Sequence, residues 1–360
     1  MTSKGGVKMW NGIISEFEEY LPVTDATPRL TLFEGNTPLI DAQALSNKIG
    51  ADVYVKVEGA NPSGSFKDRG MSFALAKAIE EGVEIAMCAS TGNTSASLAA
   101  YAARANVKAA LIIPAGKIAM GKLAQALIHG VQVFAIDGNF DDALRIVRQL
   151  GDAGKVTVVN SINPYRIQGQ KTAAFEIVNR LGDAPDYHCI PVGNAGNITA
   201  YWAGYKQFNE LGKNKTLPRM FGFQASGSNP FITGEFVDHP DTIATAIAIG
   251  HPASWDLAWK VKEESTGGFW DVTDGEVLKA YSFLAQNQGI FVEPSSATSI
   301  AGLFKAAEMG LIGKGSRVVC TVTGNGLKDA DRAIKVSTES QGEIQTIPAD
   351  YNLIFDQLTG

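Results

Sequence analysis

The sequence has few of the residues that hold metals or form disulfide bonds. Its 360 residues include three cysteines, at positions 88, 189 and 320, and four scattered histidines. The cysteines form no close pair, and each lies in an apolar, strand-like run, which is typical of buried thiols in a reducing compartment. The sequence therefore predicts neither a disulfide framework nor a metal site.

An excess of positive charge and long apolar runs are also absent. The chain carries 31 Lys and Arg against 37 Asp and Glu, a net charge of −6. This balance argues against nucleic acid or an anionic membrane as the main partner. Residues 97–115 are apolar but are interrupted by Arg104, Lys108 and Pro114, and the first residues lead into no apolar signal segment. We expect a cytoplasmic protein whose partner is a small molecule.

The remaining pattern is that of a globular α/β protein. A chain of 360 residues exceeds the usual size of one hydrophobic core, so two domains are expected. Short apolar runs alternate with helical ones, which predicts parallel sheets covered by helices on both faces. Predicted strands are 53–57, 85–89, 109–113, 131–136, 156–159, 187–192, 219–224, 290–292 and 316–322. Predicted helices are 94–104, 120–129, 140–150, 170–181, 198–211, 276–286 and 296–309.

One loop delivers a lysine to the start of a helix. Residues 61–70 read NPSGSFKDRG and follow the predicted strand 53–57. Ser65 is expected to cap the helix, which would place Lys67 in its first turn. The helix dipole there disfavours the ammonium form by ~0.3–1 kcal/mol, and a lysine inclined toward the free amine is suited to form an imine with an aldehyde. A solvated surface lysine is the alternative for this residue taken alone.

Three further loops also follow predicted strands. Residues 90–95 read STGNTS, residues 193–197 read GNAGN, and residues 321–326 read TVTGNG. The first two precede helices, so their backbone N–H groups and the helix dipole are suited to bind an anion. Each loop taken alone is equally consistent with an ordinary turn. All of these loops are predicted at the carboxyl ends of strands, where open sheets bind ligands.

Taken in order, these motifs resemble a known family. The segments 35–39 (GNTPL) and 62–69 (PSGSFKDR), the asparagine loop and the glycine loop are similar to those of the pyridoxal-phosphate enzymes of the tryptophan-synthase β fold, over about residues 32–331. Within that group the chain resembles the threonine synthases of the short, bacterial type. The segments that narrow the resemblance are 88–95, 116–122, 160–161 with Arg166, and 243–255.

The resemblance implies a fold and a division into domains. The fold is expected to be α/β, with two doubly wound, mostly parallel sheet domains and a cofactor cleft between them. We expect a larger cofactor-binding domain formed by residues 1–69 and 159–360, and a smaller inserted domain at 70–158. A homodimer is expected from the family alone.

The resemblance also implies a cofactor and its ligands. Lys67 would bind pyridoxal 5'-phosphate covalently and would move protons during the reaction. Asn93 would donate to the ring oxygen, and Thr323 would meet the pyridine nitrogen, where no acidic partner is expected. The cofactor phosphate would be held by Gly193, Asn194, Ala195, Gly196 and Asn197.

The implied substrate is O-phospho-L-homoserine, which water converts to L-threonine and phosphate by γ-elimination and β-addition. Its carboxylate would bind Ser90, Thr91 and Thr94. Its phosphate would bind Asn160, Ser161, Arg166 and Asn194. Two alternatives remain open: a serine/threonine dehydratase of the same fold, and a non-catalytic relative that binds a metabolite.

Overall fold

Two β-sheets organise the chain. The structure, a computed structural model, describes residues 9–115, 120–138, 140–154, 156–161, 163–344 and 346–359. The strands are β1 (Leu39–Asp41), β2 (Asp52–Val57), β3 (Ile85–Ala89), β4 (Lys108–Pro114), β5 (Gln132–Ile136), β6 (Thr157–Val158), β7 (Tyr187–Pro191), β8 (Arg219–Ala225), β9 (Gly268–Val272) and β10 (Arg317–Val322).

Helices cover these sheets. They are α1 (Ile13–Glu16), α2 (Gln43–Ile49), α3 (Lys67–Glu80), α4 (Asn93–Ala105), α5 (Met120–Ile128), α6 (Phe140–Asp152), α7 (Pro164–Gln170), α8 (Thr172–Leu181), α9 (Gly196–Glu210), α10 (Pro230–Thr233), α11 (Trp255–Glu264), α12 (Asp274–Gln288), α13 (Pro294–Glu308), α14 (Ala330–Gln341) and α15 (Tyr351–Thr359). In the described part of the chain, none of them is long and apolar enough to cross a bilayer.

Both sheets are mainly parallel. The larger sheet has the order β1-β2-β10-β7-β8-β9, and only β1 pairs antiparallel with its neighbour. The smaller sheet has the order β5-β4-β3-β6 and is parallel throughout. These two sheets with their covering helices confirm the predicted fold class. The domain boundaries 1–69, 70–158 and 159–360 stay a prediction.

Some predicted elements differ from the structure. The predicted strand 290–292 is wrong, because Val292 forms only an isolated bridge with Asn325 and Pro294 already begins α13. The predicted helix 170–181 corresponds to α8, whereas α7, which ends at Gln170 just before it, is absent from the prediction. The short strands β1 and β9 and the helices α2 and α11 are absent from the prediction. Of the narrowing segments, residues 116–119 lie outside the described part of the chain.

Helices α3 and α7 pack at backbone contact. A Cβ at Gly169 in α7 would collide with the carbonyl of Arg69 in α3, and a Cβ at Gly70 would meet the Arg166 carbonyl at 2.8 Å. Each glycine therefore permits an approach that a larger residue would prevent. Since α3 begins with Lys67 and α7 carries Arg166, this contact sets the relative position of the two cations.

Candidate active site

One cavity of about 350 Å³ collects the predicted site residues. It lies where loops leave the carboxyl ends of β2, β3, β7 and β10, as expected for open parallel sheets. All of the residues predicted for the site line it, namely Lys67, Ser90, Thr91, Asn93, Thr94, Asn160, Ser161, Arg166, Gly193, Asn194, Ala195, Gly196, Asn197 and Thr323. The structure thus brings the whole predicted set together, while the role of each residue stays a prediction.

Lys67 opens helix α3 and faces the cavity. The residue at the N-cap position is Phe66, so the prediction of Ser65 as the cap is wrong. Ser65 is held in a bridge with Gly324, and its hydroxyl accepts the Lys67 backbone N–H at 3.4 Å. The Lys67 ammonium lies 4.2 Å from the ring centroid of Phe66. Lys67 therefore sits at the first helical position, against an aromatic wall.

The amine of Lys67 is easily deprotonated. Burial, assisted by the positive charge of Arg166, lowers the pKa of Lys67 from 10.5 to about 7, while the charge of Glu293 opposes the fall. Burial is thus a larger cause than the helix dipole considered from the sequence. At neutral pH a substantial fraction of Lys67 is a free amine, the form that attacks an aldehyde.

A buried ion-pair cluster secures the start of α3. Arg69 donates from Nε and Nη2 to the carboxylate of Glu58 at 2.7 and 2.8 Å. Its Nη1 and Nη2 donate to Glu176 at 2.6 and 2.7 Å. Lys56 also donates to Glu176 at 2.6 Å, and the Thr37 hydroxyl donates to Glu58 at 2.7 Å. The Thr37 contact gives the GNTPL motif a structural role, since it completes the cluster behind Lys67.

Asp68 ties the preceding loop to the same helix. Its carboxylate accepts the backbone N–H of Ser63 at 2.6 Å and also the Ser63 hydroxyl. Burial raises the pKa of Asp68 to about 6, although the bonds from Ser63 act in the opposite direction. Together, Asp68 and Arg69 fix the backbone on both sides of the turn that presents Lys67.

The conformation of the glycine loop, residues 193–197, suits it to bind an anion. Ala195 has a φ of 63°, a left-handed conformation that costs a residue with a Cβ on the order of 1 kcal/mol. Gly193 lies close to the backbone of Ile247, since a Cβ on Gly193 would lie only 3.0 Å from the Cα of Ile247. The 15-residue helix α9 begins directly after Ala195 and points its N-terminus at the cavity.

Asn197 in the first turn of α9 lacks partners. Its side chain is 8 % exposed, and neither its Oδ1 nor its Nδ2 has a hydrogen-bond partner among the described residues. A buried amide is rarely left in this state unless a ligand completes it. The strained loop, the helix N-terminus and this amide together fit the phosphate of a cofactor.

Two further asparagines of the cavity, Asn160 and Asn194, already make hydrogen bonds. Asn160 pairs with the backbone of Ala89 through both ends of its amide, at 3.0 and 3.1 Å. Asn194 accepts the backbone N–H of Ala253 through Oδ1 at 3.1 Å, and its carbonyl accepts that of Ser254 at 3.1 Å. Each therefore braces a loop of the cavity, and each keeps capacity for a further hydrogen bond.

In the described part of the chain, Arg166 is a buried cation without an acidic partner. It is 2 % exposed, and Nη1 donates to the carbonyl of Val159 at 3.1 Å. Its Nε has no partner among the described residues. Burial lowers the pKa of Arg166 to about 10, which still leaves it charged at neutral pH. A buried guanidinium in this state is prepared for an anionic ligand.

The hydroxyl of Thr323 is directed by Ser296. Ser296 Oγ accepts the backbone N–H groups of Thr323 and Gly324 at 2.9 and 2.8 Å, which uses both of its lone pairs. The 2.9 Å contact with Thr323 Oγ1 therefore favours Ser296 as the donor, since the other acceptor for its hydrogen, the Gly324 carbonyl, lies further away at 3.4 Å. The hydroxyl hydrogen of Thr323 is then left to donate to an acceptor in the cavity.

Several lining residues were missed by sequence reasoning. They include Phe66, Gln170, Glu293 and the segment 245–249. Glu293 had a recognisable signal, because an acid before Pro294 follows an apolar run and precedes a helix. The segment 245–249 lies within the resemblance, yet nothing in its composition indicates a cavity wall.

Comparison with known proteins identifies the class and then the relatives. The family model described as pyridoxal-phosphate dependent enzyme matches residues 30–324. A threonine synthase of Synechocystis sp. is 60 % identical over 330 residues, covering 91 % of this chain and 86 % of that protein. One of Mycobacterium bovis is 54 % identical over 350 residues, covering 97 % and 96 %. The chain belongs to the pyridoxal-phosphate-dependent enzyme family and, within it, to the threonine synthases.

Solved structures share the fold at low sequence identity. The processed form of threonine deaminase isoform 2 from Solanum lycopersicum superimposes with a TM-score of 0.74 at 23 % identity, covering 92 % of this chain and 90 % of that one. At this identity the likeness concerns the fold alone, and it is consistent with two mainly parallel sheets facing one cavity.

Proposed function

We propose that this chain converts O-phospho-L-homoserine and water to L-threonine and phosphate with pyridoxal 5'-phosphate in the cavity. The observation that carries the proposal is Arg166, a buried cation without an acidic partner among the described residues, in the same cavity as Lys67. The loop 193–197 supplies a separate anion site for the cofactor. A second anion site is what a phosphorylated substrate requires.

The phosphate site at Arg166 also distinguishes the threonine synthase reaction from that of a serine/threonine dehydratase. Serine and threonine, the substrates of a dehydratase, carry no phosphate and would leave Arg166 without an anion. The test is release of phosphate and threonine from O-phospho-L-homoserine, with release of 2-oxo acid and ammonia from serine and threonine as the competing assay. Oxo-acid formation without threonine formation would favour the dehydratase.

The geometry of the cavity supports a set of residues for binding the cofactor. When bound, pyridoxal phosphate supplies an aldehyde that links to an amine and a conjugated ring that withdraws electrons from the substrate. Lys67 would hold the aldehyde, and residues 193–197 with α9 would hold the phosphate. Asn93 would donate to the ring oxygen. Thr323, directed by Ser296, would donate to the pyridine nitrogen and would leave that nitrogen largely unprotonated.

The same residues orient the substrate and move its protons. Ser90, Thr91 and Thr94 surround the N-terminus of α4, where a carboxylate is favoured. Arg166, with Asn160, Ser161 and Asn194, would bind the substrate phosphate. Lys67, whose pKa lies near neutrality, would take protons from Cα and Cβ and return them in the later steps.

We also propose a homodimer that acts in the cytoplasm, with the two domains divided at 69/70 and 158/159. The family resemblance supports the dimer, and three buried, unpaired cysteines support a reducing compartment. Light scattering of the purified protein tests the dimer. A monomer at micromolar concentration would contradict it.

A further inference from the structure

Glu293 is the acidic side chain of a cavity that otherwise carries positive charge. Among the described residues that line it, Glu293 is the single acid, and Lys67 and Arg166 are the bases. Its side chain is buried, at 4 % exposure. A carboxylate repels a doubly anionic substrate. Its presence in the cavity wall therefore indicates a role whose benefit outweighs this repulsion.

The geometry identifies what Glu293 contacts. Asn93 Nδ2 donates to Glu293 Oε1 at 2.8 Å. Asn93 is the first residue of α4, beside the smaller sheet, and Glu293 directly precedes α13, beside the larger one. The hydrogen bond therefore joins two helix starts that belong to different sheets and lie 200 residues apart.

The backbone around Glu293 is shaped to hold the carboxylate in place. The Glu293 N–H donates to the carbonyl of Gly324 at 3.0 Å. A Cβ at Gly324 would collide with the Glu293 carboxylate, so only glycine leaves room for it. Gly324 directly follows Thr323, which fixes Glu293 relative to the residue expected at the pyridine nitrogen.

Glu293 also acts electrostatically on two lysines. Its negative charge opposes the fall in the pKa of Lys67 that burial and Arg166 cause. It acts in the same direction on Lys328, together with Asp68. Lys328 lines a neighbouring cavity of about 530 Å³, and Asn93 lines both cavities. The Asn93–Glu293 pair thus stands in the wall between the two cavities.

We infer that Glu293 is a positioning residue that holds the Asn93 amide toward the cofactor and sets the charge balance around Lys67. An asparagine amide has two N–H donors. Because Glu293 takes one of them, the amide cannot turn its oxygen toward the cofactor, and the second N–H stays available to the ring oxygen. The inference rests on the proposed function, in which Asn93 meets that oxygen.

Two variants of Glu293 separate shape from charge. Glu293→Gln keeps the shape and removes the charge, whereas Glu293→Ala removes both the charge and the acceptor. The matched control is Glu308→Gln, an exposed acid at the other end of α13. The readouts are the pH dependence of Lys67 labelling in cofactor-free protein, followed by mass spectrometry, and the affinity and visible absorption spectrum of bound pyridoxal phosphate.

The expected results follow from the contacts. In Glu293→Gln the labelling midpoint of Lys67 moves to lower pH than in wild type, because the opposing negative charge is gone. In Glu293→Ala the affinity for pyridoxal phosphate falls about tenfold, the scale of one lost charge-assisted hydrogen bond. In an Asn93→Ala background most of that loss disappears, because the partner is already absent. Glu308→Gln matches wild type throughout.

Other results would overturn the inference. Wild-type labelling and absorption in Glu293→Gln, or additive losses in the double variant, would show that Glu293 only packs the wall. If Glu293→Ala fails to fold in a thermal scan, the isosteric Gln variant still decides the role of the charge. A wild-type protein that releases no phosphate and threonine from O-phospho-L-homoserine would refute the proposed function instead, and the cofactor-free labelling would still test the charge of Glu293.

Discussion

Replacing Arg166 with methionine should separate binding from stability. A charge-assisted contact between arginine and phosphate contributes about 1.5–3 kcal/mol, so affinity for O-phospho-L-homoserine and for inorganic phosphate should fall roughly 10- to 100-fold. Affinity for pyridoxal phosphate should stay unchanged, because residues 193–197 and α9 hold its phosphate. Methionine fills much of the same space without charge.

The same substitution should not destabilise the cofactor-free protein. Burial lowers the pKa of Arg166 from 12.5 to about 10, which corresponds to roughly 3 kcal/mol against the folded state at 1.36 kcal/mol per pKa unit. The sign is that of a cation whose pKa is depressed on folding: the cost is fully present below pH 10, where Arg166 is protonated in both states, and it shrinks above that pH. Removing the charge should leave the free energy of unfolding equal or higher.

The assays are spectral titrations with substrate and phosphate, and urea unfolding of the cofactor-free protein. Arg180→Met, at an exposed arginine of α8, is the matched control and should change neither quantity. An equal loss of affinity for a substrate analogue without phosphate would refute the reasoning. So would a drop in unfolding free energy of several kcal/mol, the cost expected if Arg166 were a structural core residue.

Three further predictions concern the lysine, the threonine and the helix contact. Lys67→Ala should abolish turnover, and borohydride should then fix no pyridoxal phosphate on the protein; fixation on Lys56 in the wild type would contradict the assignment. Thr323→Val should change the visible spectrum of the bound cofactor and lower turnover, because the donated hydroxyl hydrogen is lost, whereas a wild-type spectrum would remove Thr323 from the site. Gly169→Ala should lower the free energy of unfolding by about 1–3 kcal/mol, because the added methyl group overpacks α7 against α3. An unchanged urea unfolding curve would show that α7 can move away from α3 without cost.

The sequence indicates the residues that line the cavity more clearly than the buried contacts that support them. Strand–loop–helix junctions carry their own local signals, so the loops at Lys67, Asn93 and Gly193 were recognisable. The cluster of Lys56, Glu58, Arg69 and Glu176 was not, because its partners are separated by up to 120 residues. Buried ion pairs join charged residues that look like solvated ones in a linear pattern.

The boundaries of elements depended on contacts that a local pattern does not contain. The stretch 290–292 has the composition of a strand, but its neighbour there is the turn at Asn325, and only one bridge forms. Ser65 has the chemistry of a helix cap, yet its pairing with Gly324 starts the helix later. In both cases the loop that follows β10 decided the outcome.

The lowered pKa of Lys67 shows why other properties of the site could not be predicted from the sequence: their causes are residues far apart along the chain. From the sequence, the available cause was the helix dipole, which is worth ~0.3–1 kcal/mol and less than one pKa unit. In the structure, burial and Arg166 bring the pKa to about 7, and Glu293 limits the fall. Arg166 and Glu293 come from positions 99 residues and 226 residues further along the chain. The cation that is expected to bind the substrate phosphate is therefore also one that favours the free amine of Lys67. Once an anion neutralises Arg166, that influence weakens, so binding of the substrate phosphate should make Lys67 a stronger base at the moment when a proton must be taken.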